Sequence, residues 1–248
     1  MGSALGAALR TRGIAVCWAS AGRGPGTGRR AEAAGLNDVG SVAEVARRAE
    51  VILSVCPPHA ALDVARSVSG YGGVFVDGNA VSPATTRMIG GTIEQGGGRY
   101  VDGGIVGPPP RSAGTTRFYL SGPAAGVVAD LFEGTVVEPR IVSDEVGAAS
   151  AVKMTYAAWT KGTAALLLAI RALARAEDVE PTLLEEWRLS LPELEEQSLR
   201  AASASARKGW RWVGEMEEIA SSFATAGLPD GFHRAAAETF ARSPRVES

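Results

Sequence analysis

Up to about residue 144, apolar strand-like runs alternate with helical patterns, and beyond it the strand signal disappears. Residues 2–12 read as a helix that Gly13 ends before a strand at 14–18, followed by a glycine- and arginine-rich loop at 21–30. The helix at 41–49 carries a capping box, Ser41 with Glu44 three residues on, and leads into the continuous apolar strand 51–55, which breaks at Cys56-Pro57-Pro58. A helix from His59, a strand at 74–77 and a helix opened by Pro83 follow, then strands at 100–102, 116–120 and 136–142. Alternation of this kind predicts a parallel α/β sheet over 1–144, and the remainder, 145–248, reads as an all-helical domain.

Several function classes are excluded by what the chain lacks. Net charge is −2 with no basic or acidic block, so neither nucleic acid nor a charged surface is an expected partner. The strongest apolar run, 164–170, lies between Lys161 and Arg171 and is too short to cross a bilayer, and Met1-Gly2-Ser3 enters a helical pattern rather than a leader. Cys17 and Cys56 sit in apolar runs, which argues against a disulfide framework or a metal site and for a reducing cytoplasm. With two histidines and no Gly-x-Ser-x-Gly elbow a serine hydrolase is hard to assemble, and no phosphate-binding Gly-x-x-x-x-Gly-Lys loop is present.

What remains is a doubly wound sheet, whose ligands bind at the carboxyl ends of its strands. After the strand ending at Trp18, Ser20 and Arg23 stand where an acidic residue would select NAD, and a hydroxyl with a guanidinium favours a 2′-phosphate. A merely solvated loop of Arg23, Arg29 and Arg30 is the competing reading. Residues 147–175 contain no proline, and Lys153 lies near the start of this alanine-rich helix, with Tyr156, Ala157 and Thr160 close to its azimuth. A lysine held there can exchange a proton with a reacting oxygen or nitrogen; a lysine snorkelling from a surface helix is the alternative.

Taken in order, these segments resemble the superfamily of β-hydroxyacid dehydrogenases and 6-phosphogluconate dehydrogenase, which includes the imine reductases. Met1-Gly2 match the last two residues of its Gly-x-Gly-x-Met-Gly turn, and Ser54-Val55-Cys56-Pro57-Pro58-His59 match its proline-bearing turn. Asp77-Gly78-Asn79-Ala80-Val81-Ser82-Pro83 correspond to Asp-Ser-Thr-x-x-Pro, and Asp102-Gly103-Gly104-Ile105-Val106-Gly107-Pro108 to the substrate segment. Gly147 through Lys153 match the start of the catalytic helix. The resemblance implies a Rossmann-type sheet followed by a helical domain that pairs with a second subunit, and an NADP-dependent oxidoreductase acting on a small molecule in the cytoplasm. It implies cofactor contacts at Met1, Gly2, Ser20, Arg23, Val55, Cys56, Pro57 and Asn79. Substrate contacts fall at Gly103, Gly104, Ile105, Val106 and Gly107, and Lys153 is the general acid or base, with Tyr156 as a candidate hydroxyl beside it. No metal is implied.

Three departures limit the analogy. Val106 replaces a serine that holds a substrate carboxylate, Ala157 replaces an asparagine one turn after the lysine, and the strand expected before Met1 is missing, so the Rossmann sheet reads as N-terminally truncated and Met1 as an internal methionine. The loss of the serine brings imine reduction forward as an alternative, and the missing glycines suit a non-catalytic nucleotide-binding or structural homologue. Trp210 and Trp212 read as core or subunit-contact residues. Substrate, reaction direction and pathway have no signature in the residues.

Overall fold

The computed structural model describes residues 1–242, which form two compact units, Met1–Lys153 and the residues from Met154 on. The first opens with α1 (Gly2–Arg10), β1 (Cys17–Trp18), α2 (Pro25–Ala33), β2 (Asn37–Asp38) and α3 (Val42–Arg48). It continues through β3 (Val51–Ser54), α4 (Ala61–Arg66), β4 (Val74–Asp77), α5 (Pro83–Gln95), β5 (Arg99–Val106), β6 (Thr116–Ser121), α6 (Ala125–Phe132) and β7 (Val137–Ser143). A short 3-10 turn, Pro58–Ala60, precedes α4.

Five strands pair in the order β3-β4-β5-β6-β7, while β1 and β2 form a separate parallel pair. All ladders are parallel except that between β5 and β6, which is antiparallel. The sheet is therefore mixed rather than wholly parallel, because residues 107–115 supply no helix for the crossover that a parallel connection requires. Two further expectations are corrected. The first strand has two residues instead of five, and the loop at 21–30 contains the start of α2. Gly24 enters α2 extended, and Pro25 occupies the first turn, where its missing N–H costs nothing.

Alternating side chains of the sheet feed two cores. Val74, Val76, Val101, Phe118 and Leu120 pack with Leu5 and Leu9 of α1 and with α6, and Phe75, Tyr100 and Ile52 pack with Ile89 and Ile93 of α5. Both faces are covered, which explains why β4 is apolar up to Asp77 and buried at every position. The α1 core also takes in Val16 from beside β1 and Val51, Leu53 and Val55 from β3 and its end, so α1 packs on both sheets.

The second unit is helical. It contains most of α7 (Ala148–Ala176), then α8 (Glu180–Ser190), α9 (Leu194–Thr225) and α10 (Gly231–Ala241). Trp212 meets Phe240 edge-on at 5.0 Å and Phe223 meets His233 at 4.2 Å, joining α9 to α10. Lys161 and Glu215 form a mostly buried ion pair, and Arg171 reaches Glu180 at 2.6 Å and Ser198 at 2.8 Å. The division falls after Lys153, within α7, whereas the strand pattern ended near 144. The first turns of α7 are fastened to the sheet by polar contacts described below. Among the described residues no helix is long and apolar enough to cross a membrane.

Candidate functional site

A buried polar row crosses the sheet. Ser54, Asp77, Asp102 and Ser121 lie in register on β3, β4, β5 and β6, and all four are buried. Such a row survives in a core only if its members are hydrogen-bonded. Asp102, fully buried, accepts five bonds. Thr86 Oγ1 (3.1 Å) and Ser150 Oγ (2.6 Å) donate to Oδ1, and Ser121 Oγ (2.9 Å), Gly147 N (3.0 Å) and Ser150 N (2.9 Å) donate to Oδ2. Ser121 Oγ in turn accepts from Ala149 N at 3.0 Å. The α7 N-terminus is thus capped by a strand carboxylate, which also complements the helix dipole.

Glycines let this docking happen. A Cβ on Gly104 would lie 2.5 Å from Ala149 O and 3.0 Å from Lys153 Cβ, so only glycine allows α7 to approach β5 this closely. Gly147 has φ +105°, which an L side chain rarely adopts, and a Cβ there would also crowd the Arg87 guanidinium. Lys153 follows Gly147 on the same docked segment and is half-buried, with its stem beside Gly104.

Asp77 organises the next turn. Its Oδ1 accepts from Asn79 N at 3.0 Å and from Asn79 Nδ2, and Asn79 Oδ1 accepts from Cys56 N at 2.5 Å. Asn79 Nδ2 also reaches Ser54 Oγ at 3.1 Å. Burial, joined by the negative charge of Asp102, pushes the Asp77 carboxyl up to about 7 against the pull of its Asn79 bonds. Burial likewise raises the Cys56 thiol; Ser54 and Arg23 pull it back and Asp77 adds to the rise. The Arg23 guanidinium is therefore close enough to act on Cys56.

The expected cofactor residues divide into two groups. Gly2 lies against Val55, its virtual Cβ 3.6 Å from the Val55 side chain, and α1 begins there with no side-chain cap. With Cys56, Pro57 and Asn79 this makes one neighbourhood at the end of β3, and the positive charge of Arg23 acts on it. Met1 precedes Gly2 as the N-cap. Ser20, by contrast, hydrogen-bonds Asp38 on β2, whose carboxyl is held below its ordinary range by the Gly40 amide (2.8 Å) and by Ser20. Asp38 went unnoticed in the sequence because it falls in no apolar run or motif. It sets an acidic group beside the position read as phosphate-selective.

Of the expected substrate residues, Gly103, Gly104, Ile105 and Val106 are buried within β5, and Gly107 ends it with φ +121°. The two glycines at 103 and 104 already have packing roles: a Cβ on Gly103 would meet Phe118 at 2.6 Å. On α7, Ala157 is fully buried, while Tyr156 and Thr160 are exposed. Among the described residues no group of three or more His, Cys, Asp or Glu gathers as a metal-binding set.

Residues 174–243 match the family described as Domain of unknown function (DUF1932). An uncharacterized 28.5 kDa protein of Methanothermus fervidus is 30% identical over 165 residues, which span 66% of this chain and 63% of that protein's length. A conserved protein of unknown function, noted for structural similarity with 3-hydroxyacid dehydrogenases, is 27% identical and superposes with a TM-score of 0.68 over 97% of this chain and 92% of its own. The 3-hydroxyisobutyrate dehydrogenase of Mycobacterium tuberculosis superposes with a TM-score of 0.72 at 17% identity, over 98% and 89%. The Streptomyces aurantiacus imine reductase gives 0.54 at 20%, over 97% and 90%. Other proteins of this fold have been solved with NADP+ or NADPH bound. The chain thus carries a DUF1932 domain and has the fold shared by the β-hydroxyacid dehydrogenases and imine reductases.

Proposed function

We propose that this chain serves a nicotinamide-dependent oxidoreductase acting on a carbon that bears oxygen or nitrogen. The observation that carries the reading is the placement of Lys153: the segment that bears it is fastened to β5 through Asp102, and its stem lies beside Gly104 of the segment read as substrate-contacting. The residues at the end of β3 fit a dinucleotide. An uncapped helix N-terminus at Gly2, the Arg23 charge and the Asn79–Cys56 turn together suit an anionic diphosphate. Bound there, the nicotinamide would supply or accept hydride.

Within that reading Lys153 holds or takes the proton at the substrate oxygen or nitrogen, and Gly104 keeps its stem against the strand. Tyr156, one turn on and exposed, is the candidate second hydroxyl. Gly103 to Gly107 flank the substrate, with Val106 in place of a carboxylate-holding serine, which favours imine reduction as the second reading. Preference for NADP rests on Arg23 and is opposed by Asp38, so it is a finer part of the same proposal. A cytoplasmic location is a further, finer part of the same proposal.

A homodimer belongs to the proposal as well. On α7, Trp159, Leu166 and Leu173 follow one another at intervals of seven and are exposed by 73%, 45% and 63%, a stripe of the kind that packs against another helix. The function is tested by NADPH consumption against a panel of carbonyl acids and cyclic imines, run in reverse with hydroxy acids and NADP+. Turnover of carbonyl acids supports dehydrogenase chemistry and turnover of imines the second reading. NADPH binding without turnover of either class would sink both and leave a nucleotide-binding homologue.

A further inference from the structure

Asp77 and Asp102 are two buried carboxyls in register on neighbouring strands, and the hydrogen-bond donors around them are unequally shared, five on Asp102 against the two Asn79 donors on Asp77 Oδ1. Asp102 takes the Thr86 hydroxyl proton at 3.1 Å. The Tyr100 hydroxyl, 2.6 Å from Thr86 Oγ1, must then donate to it, since each hydroxyl has a single proton. Nothing is left between the Tyr100 oxygen and Asp77 Oδ2, which are 3.5 Å apart, unless Asp77 supplies a proton. Its other oxygen is already occupied by the two Asn79 donors.

We propose that Asp77 is folded as a neutral carboxylic acid that donates to Tyr100, and that its ionisation as pH rises places a negative charge behind the Asn79–Cys56 turn, weakening its hold on an anionic dinucleotide. The second clause rests on the dinucleotide reading given above; the first does not. The surroundings agree. The titratable groups facing Asp77 are Asp102 and Tyr100 on β5 and Cys56 beyond β3, none of them a cation, and Arg23 acts on Cys56 from the loop after β1. Burial and the Asp102 charge oppose ionisation, which sets in around neutral pH.

Asp77→Asn is a close copy of the neutral form: its carbonyl accepts from Asn79 and its amide donates to Tyr100. The sign follows from the raised carboxyl. Stability contributed by the neutral acid is complete below the unfolded value of 3.8 and is lost as pH rises through about 7. Urea midpoints measured across this range should therefore fall for the wild type relative to Asp77→Asn, and run level above it. Thr86→Val supplies a second variant, because Tyr100 is then free to turn its proton to Asp77, and the wild-type decline should move to lower pH. NADPH titrations of the same proteins should show wild-type affinity dropping about threefold to tenfold above neutral pH while Asp77→Asn stays flat. Parallel stability curves for wild type and Asp77→Asn, or a Thr86→Val curve that does not move, would overturn the proton assignment. Divergent curves with no NADPH binding by either protein would support that assignment and overturn the dinucleotide reading.

Discussion

Asp102→Ala is the most informative single perturbation of the docked helix. It leaves the Gly147 and Ser150 amides buried without an acceptor, whereas the three hydroxyls around them can turn to other oxygens. At about 1–3 kcal/mol for each orphaned amide, with the charge-assisted character of the lost bonds added, the expected destabilisation is about 3–5 kcal/mol. That is a large share of the roughly 5–15 kcal/mol that holds a typical domain folded. Asp102→Asn should be much milder. Its amide can face Thr86 and Ser150 Oγ, both able to accept, while its carbonyl keeps the three donors on the other side. Only the charge at the helix N-terminus is lost, about 1–2 kcal/mol. Amide exchange of β4 and β5 under native conditions reads the first unit separately from the helical one. An alanine variant within about 1 kcal/mol of wild type, or an asparagine variant as damaged as alanine, would refute the capping argument.

Turnover should fall roughly 10²- to 10⁴-fold in Lys153→Met with NADPH affinity little changed, and a folded variant of near-normal rate would remove the lysine from the mechanism. Arg23→Ala should weaken NADPH more than NADH, and Asp38→Asn should do the reverse by strengthening NADPH; equal effects on both cofactors would deny either residue a part in selectivity. His233 is buried with no hydrogen-bond partner for Nδ1, and burial lowers its pKa from 6.5, so the helical unit should lose stability as pH falls below about 6.5 toward the folded value. In His233→Phe that decline should flatten, which urea titrations at several pH values can read; an unchanged slope would assign it to other groups. Lysines at Leu166 and Leu173 should convert a sedimenting dimer into a monomer, and a wild type already monomeric at micromolar concentration would count against the α7 stripe.

Long elements were legible because their patterns are local. The capping serine of α3, the apolar run of β3 and the proline-free span of α7 each announce themselves within a few turns. β1 and β2 pair over two residues each, too few for any periodicity, and the glycines around Pro25 disguised α2 as loop. The antiparallel β6 depends on a connection having no helix, which only the ladder reveals. Lys153, Asn79 and Cys56 stand out in the sequence by their motifs, and the Asn79–Cys56 bond brings two of them into one turn. The role of Asp102 could not, because its five donors come from positions 86, 121, 147 and 150 and meet only after folding. Asp77 and Asp38 were hidden for the same reason: burial and neighbours, rather than residue type, give them their character.

Because no strand ladder among the described residues joins β1–β2 to the five-stranded sheet, these parts of the first unit meet through side chains of α1 and α3. Breaking such a junction exposes a few apolar groups but severs no row of backbone bonds. In this chain the segment from Ser20 through α2 is therefore expected to open ahead of the five-stranded sheet, at a free energy below that of global unfolding. Any ligand that spans Arg23 and Gly2 would clamp this junction shut, so slowed exchange at the β1 and β2 amides would report its binding before any change elsewhere in the sheet.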